Sequence, residues 1–216
     1  MTNIILMEQY IDAPFFEYLG RQVKYTNIQS DVFHRTKMLN EMIRMADTPV
    51  VVNWDADVIV SPEQHRVALE YIKSGGDIVY PYDGTFIRLN RPIWIEPLSK
   101  ALDLKILTPR GQKKERTASV GGAVYFNRDS FINGGMENEN FISYGPEDLE
   151  RHYRFTTLGY NLKRVKGPIY HMEHHMGLNS YKKHPNYQSN LLEWEKVKTM
   201  DKSALGSYVE EWKWIK

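Results

Sequence analysis

At 216 residues, with 42% hydrophobic and 25% charged side chains, the chain has the composition of one globular domain, or one and a half at most, and needs no covalent staples. Its 28 basic and 27 acidic residues leave a net charge of +1, which excludes a bulk field aimed at nucleic acid or an anionic membrane. The absence of cysteine excludes a disulfide scaffold, thiolate zinc and a cysteine nucleophile. No window approaches the roughly 18 uncharged apolar residues of a membrane span. The N-terminus carries no basic region, and Glu8 breaks its short apolar run. The expected location is therefore cytoplasmic, free or peripheral to the inner face of the membrane.

Strand-like and helix-like segments alternate along the chain. Ile4–Met7 is an apolar run of strand length. Between Arg35 and Ala46 the residues Met38, Leu39, Met42, Ile43 and Ala46 follow helical spacing. Val50–Val52 is continuous and β-branched, the pattern of a strand buried on both faces. Ser61, Pro62 and Gln64 predict a helix start with a capping box, a buried stripe of Val67, Ala68, Tyr71 and Ile72, and a stop at Gly75-Gly76. Asp77–Tyr80 returns as a strand. This order predicts an α/β domain with a largely parallel sheet.

From Pro81 to Ala118 the pattern is irregular, with four prolines, one helix expected near 97–102, and a basic stretch at Arg110–Arg116. Gly122–Phe126 reads as a strand, Arg128–Ile132 as a short helix, and Gly145-Pro146 opens a helix that Gly159 ends. Leu162–Val165 is strand-like and a histidine-rich loop follows Tyr170. The tail from about Asn190 reads as two helices, with Trp194, Val197, Met200, Leu205, Tyr208, Val209 and Trp212 facing a core. The expected division is a domain over 1–185 and a helical extension over 186–216 packed on it.

Three constellations carry chemistry. Asp55 and Asp57 follow the valine run, at the strand edge where open α/β sheets bind ligands. Carboxylates beside an apolar strand invite a divalent cation, with magnesium or manganese suited to oxygen ligands; the plainer reading is a turn cap. His171-Met172-Glu173-His174-His175 can supply imidazoles if the backbone turns, and is otherwise a solvated loop. Together with Asp57 it gives the mixed donor set manganese accepts. Glu147 and Asp148 fall in the first turn of a helix, where the dipole favours ionised carboxylates with a lowered pKa. Acidic residues there are also common without any catalytic role.

The segment Phe33-His34-Arg35-Thr36-Lys37-Met38-Leu39-Asn40, the motif Trp54-Asp55-Ala56-Asp57, the strand Ser119–Val124 with Gly121 and Gly122, the run from Asn133 through Tyr144-Gly145-Pro146-Glu147-Asp148, and His171-x-x-His174 occur in the order found in one family. They resemble the β-1,4-galactosyltransferase-like glycosyltransferases. The resemblance implies a GT-A fold, a mixed sheet flanked by helices, and inversion at the sugar's anomeric centre. It implies that Asp57, His171 and His174 ligate Mn2+ (or Mg2+), which bridges the diphosphate. Arg35 and Gly122 would serve the nucleotide, Asp55 would contact its ribose or the metal's water shell, Asp148 would be the catalytic base, and Glu147 would bind the acceptor sugar. Tyr144 stands where the family usually has Trp, and Pro146 where it usually has Gly, departures that bear on acceptor identity.

Family members begin with a further strand and helix, and Ile4–Met7 resembles their second strand. The expectation is either that this start is a truncation or that another strand, from a homodimer or a partner chain, fills the gap between the first strand's neighbours. The function expected is metal-dependent transfer from a UDP-sugar to a glycan acceptor, such as a bacterial surface polysaccharide, with the basic stretch near Arg110–Arg116 as a lid or a solvated loop. The alternatives are an inactive or partner-dependent sugar-nucleotide-binding module and a metal-dependent phosphoesterase.

Overall fold

The structure, a computed structural model, describes residues 4–21, 23–89, 113–116, 118–174, 177, 179 and 182–215. The helix expected near 97–102, the start of the basic stretch at 110–112 and His175 lie outside them. The chain forms two compact units: Met1–Thr48, Gly135–Arg154 and Met176–Lys216 make the first, and Pro49–Gly134 with Phe155–His175 the second. No helix among the described residues is long and apolar enough to cross a membrane.

In the first unit, β1 (Ile5–Tyr10) and β2 (Lys24–Gln29) pair in parallel, Ile5 opposite Lys24 through Tyr10 opposite Gln29. Helix α1 (Arg35–Met45) forms where the apolar spacing predicts it and buries Met38 and Ile43 together with Thr36 and Asn40. Those two polar residues fasten a distant segment. Thr36 Oγ1 donates to the Phe141 carbonyl at 2.9 Å. The Asn40 amide donates to the Glu137 carbonyl at 2.9 Å and accepts from the Glu137 N–H at 2.8 Å.

The tail helices belong to the same unit. Buried Asn190 donates to the carbonyls of Ile142 (2.8 Å) and Tyr144 (2.9 Å) and accepts from the Ile142 N–H (3.1 Å). It lies on α5, whose range is Tyr187–Val197; α6 spans Lys202–Glu210. Of the expected apolar face, Val197, Leu205, Val209 and Trp212 are buried. Gly135 needs its positive φ of 93° and has no room for a Cβ, which would sit 2.8 Å from Val209.

The second unit holds two four-stranded sheets. One has the order β3-β8-β5-β9, from β3 (Val50–Trp54), β5 (Ile78–Tyr80), β8 (Ala123–Asn127) and β9 (Leu162–Arg164). Only β5 and β9 run parallel; β8 is antiparallel to both β3 and β5. The sheet is therefore mixed rather than largely parallel, because β8 runs antiparallel to both of its neighbours. As the edge of this sheet β3 alternates instead of burying both faces: Val51 is buried and Val52 exposed. The other sheet has the order β4-β10-β6-β7, from β4 (Val58–Ile59), β6 (Phe86–Leu89), β7 (Lys113–Arg116) and β10 (Ile169–Met172). The last four residues of the basic stretch thus form a strand, antiparallel to β6 with a register shift at Phe86/Ile87.

Helix α2 (Pro62–Lys73) starts with the capping box its sequence predicts: Ser61 Oγ accepts from the Gln64 N–H at 3.1 Å and Gln64 Oε1 from the Ser61 N–H at 3.0 Å. Its Ala68 and Ile72 pack with Val79, Tyr125 and Val165 into one core cluster, while Val67 and Tyr71 are only partly buried. A second cluster, Ile59, Leu89 and Tyr170, underlies the β4-β10-β6 strands. Short helix α3 (Arg128–Asn133) stacks Phe131 on Phe126, ring centroids 3.9 Å apart.

Replacing Asn190 with Ala removes three hydrogen bonds to the backbone of Ile142 and Tyr144. An orphaned buried polar group costs about 1–3 kcal/mol, so urea denaturation of Asn190→Ala should show a loss of at least about 2 kcal/mol. An unchanged midpoint would mean the segment around Ile142 is held by other contacts.

Candidate functional site

The metal-ligand candidates lie in the second unit. β3 ends at Trp54 and β4 begins at Val58, so Asp55-Ala56-Asp57 forms the turn between them. The Asp55 N–H donates to the Gly122 carbonyl at 2.8 Å, and the Val58 N–H closes the turn on the Asp55 carbonyl at 3.2 Å. Gly122 has φ of 87°, and a Cβ there would lie 3.0 Å from Ile169 and 3.3 Å from Val58. A glycine is thus required for the chain to pass the turn this closely. β10 then lies antiparallel to β4, His171 opposite Val58, and the Met172 N–H donates to the Asp57 carbonyl at 2.8 Å.

This register brings Asp57 and the histidines together. Asp57 Oδ2 is 3.2 Å from His171 Nε2 and 2.8 Å from His174 Nε2. One ligand atom from each of the three residues falls within 4.8 Å of the others. That spacing suits ligands sharing one ion at about 2.0–2.2 Å from each. His171 lies on a strand, not in the loop expected; Phe86 packs 5.1 Å from its ring, and its Nδ1 is buried without a hydrogen-bond partner among the described residues. Burial raises the Asp57 pKa, but the hydrogen bond to His171 and the charges of His171 and His174 outweigh it, and the net shift is downward.

The carboxylate candidates lie in the first unit, on α4, which spans Glu147–Leu158. Pro146 stands just ahead of the helix, its carbonyl accepting from the Glu150 N–H at 2.9 Å. Arg35, the first residue of α1, reaches Glu147 Oε1 at 3.6 Å and Asp148 Oδ1 at 3.8 Å. Asp148 is the more accessible carboxylate, its side chain 30% exposed against 11% for Glu147. Glu147 Oε2 is buried with no hydrogen-bond partner among the described residues. Its pKa moves opposite to the helix-dipole expectation. Burial and then the adjacent Asp148 charge push the carboxyl up to about 8, against the pull of Arg35.

Sequence reasoning did not single out Arg151 or Glu137. Arg151 donates to Glu137 at 2.7 Å and to Asp148 at 2.8 Å, and the side chains of Arg151 and Glu137 are 2% and 0% exposed. The three-residue step from Asp148 to Arg151 on a helix was a usable signal for one contact. Nothing local connects Glu137 to either. A second buried pair, Glu150 with Arg154 at 2.7 Å, follows the four-residue helical spacing.

Residues 105–176 match the family described as the N-terminal domain of galactosyltransferase. The fold is similar to that of GalNAc-T7, solved with UDP, GalNAc and Mn2+, at 15% identity and a TM-score of 0.61; the match covers 96% of this chain and 44% of that one. The chain thus spans less than half the length of that protein. Also similar are the catalytic domain of Drosophila β1,4-galactosyltransferase 7 complexed with xylobiose (17% identity, 76% of this chain and 65% of that one, TM-score 0.45) and the CMP:2-keto-3-deoxy-manno-octonic acid synthetase complexed with CTP (14% identity, 92% and 80%, TM-score 0.45). No curated protein sequence matches the chain. The chain thus shares the mixed α/β fold of GalNAc-T7, and the galactosyltransferase model matches a segment of it.

The buried Glu147 carboxyl also leaves a mark on stability. The folded state holds this proton up to about pH 8, whereas the unfolded chain releases it near the ordinary value of 4.5. Its contribution to stability is therefore complete below the unfolded pKa and is lost as pH rises toward the folded one. Thermal unfolding should show a Tm that declines across that window, with Glu147→Gln flattening the decline. An identical slope in the variant would show that Glu147 is already ionised at neutral pH.

Proposed function

We propose that the chain is a metal-dependent inverting glycosyltransferase that moves a sugar from a UDP-sugar to an acceptor hydroxyl in glycan or polysaccharide synthesis. The observation that carries this reading is the convergence of Asp57, His171 and His174 at the β3–β4 turn, in a chain with a glycosyltransferase fold. Two imidazoles and a carboxylate are a donor set that Mn2+ accepts, and Asp57, His171 and His174 would hold it. Once bound, such a cation neutralises charge on a diphosphate leaving group. The GalNAc-T7 relative, solved with UDP and Mn2+, is consistent with both groups.

The remaining steps belong to the chain's own residues. Asp148, the partly exposed member of the carboxylate pair, takes the proton from the acceptor hydroxyl as its oxygen attacks the anomeric carbon and the bond to the UDP oxygen breaks. Glu147, kept protonated at neutral pH by burial, donates a hydrogen bond to the acceptor sugar. Asp55, Gly122 and Arg35 serve the nucleotide. Arg35 and Arg151 both reach Asp148, and the Arg151 contact is the shorter.

Two substitutions test the assignment. Asp57→Ala should abolish Mn2+-dependent UDP binding in calorimetry; retention of the wild-type affinity would move the cation elsewhere. Asp148→Asn should lower kcat by roughly 10²–10⁴-fold, the usual contribution of a general base, with UDP affinity little changed. Full turnover in that variant would overturn the base assignment. Analysis of the products decides the reaction class: a new glycoside supports transfer, and a released sugar phosphate indicates a phosphoesterase.

A further inference from the structure

We propose that Arg151 is a positioning residue for the base, the middle member of a buried chain running Glu137–Arg151–Asp148. The inference rests on the reading of Asp148 as the group that takes the acceptor's proton. Arg151 Nη1 donates to Glu137 Oε1 at 2.7 Å and its Nη2 donates to Asp148 Oδ1 at 2.8 Å. One planar guanidinium thus grips two carboxylates, a geometry that a point charge on a lysine cannot reproduce. Arg35 approaches the same Oδ1, at 3.8 Å. Both arginines thus converge on Oδ1.

The rest of the chain is built as a support. Glu137 is fully buried, and its own backbone is clamped on both sides by the Asn40 amide, at 2.8 and 2.9 Å. The end of the chain farthest from solvent is therefore fixed by α1, and each charge fixes the next. Catalytic side chains need this kind of support, because a base must hold its oxygen on the reacting proton to within about half an ångström.

The charge balance points the same way. Glu137 offsets the charge of Arg151, so the pair as a whole brings no net charge to Asp148. A buried Glu–Arg pair is weak evidence for stability, since matched apolar replacements are often tolerated.

The test is the double variant Glu137→Leu/Arg151→Met, which removes both buried charges together. The proposal expects kcat to fall about tenfold or more, with the donor KM and the UDP affinity within about twofold of wild type and Tm not lowered. A purely structural pair would give the reverse, a lowered Tm with kcat unchanged per folded molecule, and that result overturns the proposal. Should the double variant not fold, Arg151→Lys keeps the charge but not the fork. It should cut kcat about fivefold at unchanged UDP affinity, and full kcat there overturns the proposal equally. Asp148→Asn measured alongside separates the two ideas. If it retains turnover, the base assignment fails; if it is inactive while the Arg151 variants are fully active, only the positioning role fails.

Discussion

Backbone hydrogen bonding around the three-residue turn at Asp55–Asp57 is the constraint on which the second unit's chemistry depends. The turn is tied to Gly122 on one side and to Met172 on the other, residues far apart in sequence. Each tie pairs a backbone N–H with a backbone carbonyl, so the arrangement is favoured for ordinary reasons of polar satisfaction. Its by-product is chemical. Because β10 registers His171 opposite Val58, two imidazoles are delivered to the Asp57 carboxylate. Gly122 permits the approach by having no side chain where Ile169 and Val58 already stand.

The first unit solves a different problem, the burial of charge. Glu137, Arg151, Glu150 and Arg154 are all essentially inaccessible, and each acid has an arginine within hydrogen-bond reach. Glu147 differs. Its nearest cation is 3.6 Å away and one of its oxygens lacks a partner among the described residues, so the neutral acid is the cheaper form. Two adjacent carboxyl groups on one helical turn thus sit in unlike settings, one partly exposed and gripped by arginine, the other dry. A pair of acids held in unlike settings is the usual way for one site to present both a proton acceptor and a proton donor.

Polar side chains, more than apolar ones, set the path of the segment from Glu137 to Tyr144. Asn40, Thr36 and Asn190 each satisfy backbone groups of that segment, and Ser143 adopts φ of 59° with its hydroxyl and N–H both donating to the Phe33 carbonyl. A non-glycine residue in that region is sparsely populated and persists only when its surroundings over-determine it. These contacts deliver the chain to the start of α4 in one conformation, which fixes where Glu147 and Asp148 emerge.

The sequence by itself determined the elements whose cause is local. α1 follows from apolar spacing, the start of α2 from Ser61, Pro62 and Gln64, and the limits of α4 from Pro146 and Gly159; each signal acts over three or four residues. It also named Asp57, His171, His174, Glu147 and Asp148 as candidates, because their residue types and order resemble one family. Tertiary structure alone decided which strands became neighbours, so the antiparallel insertion of β8 and the strand placement of His171 were not readable from runs of valine and histidine. It alone decided that Glu147 is dry and that Glu137 backs Arg151. Burial and ion pairing depend on what the rest of the chain packs against a side chain, and no short-range pattern in the sequence records that.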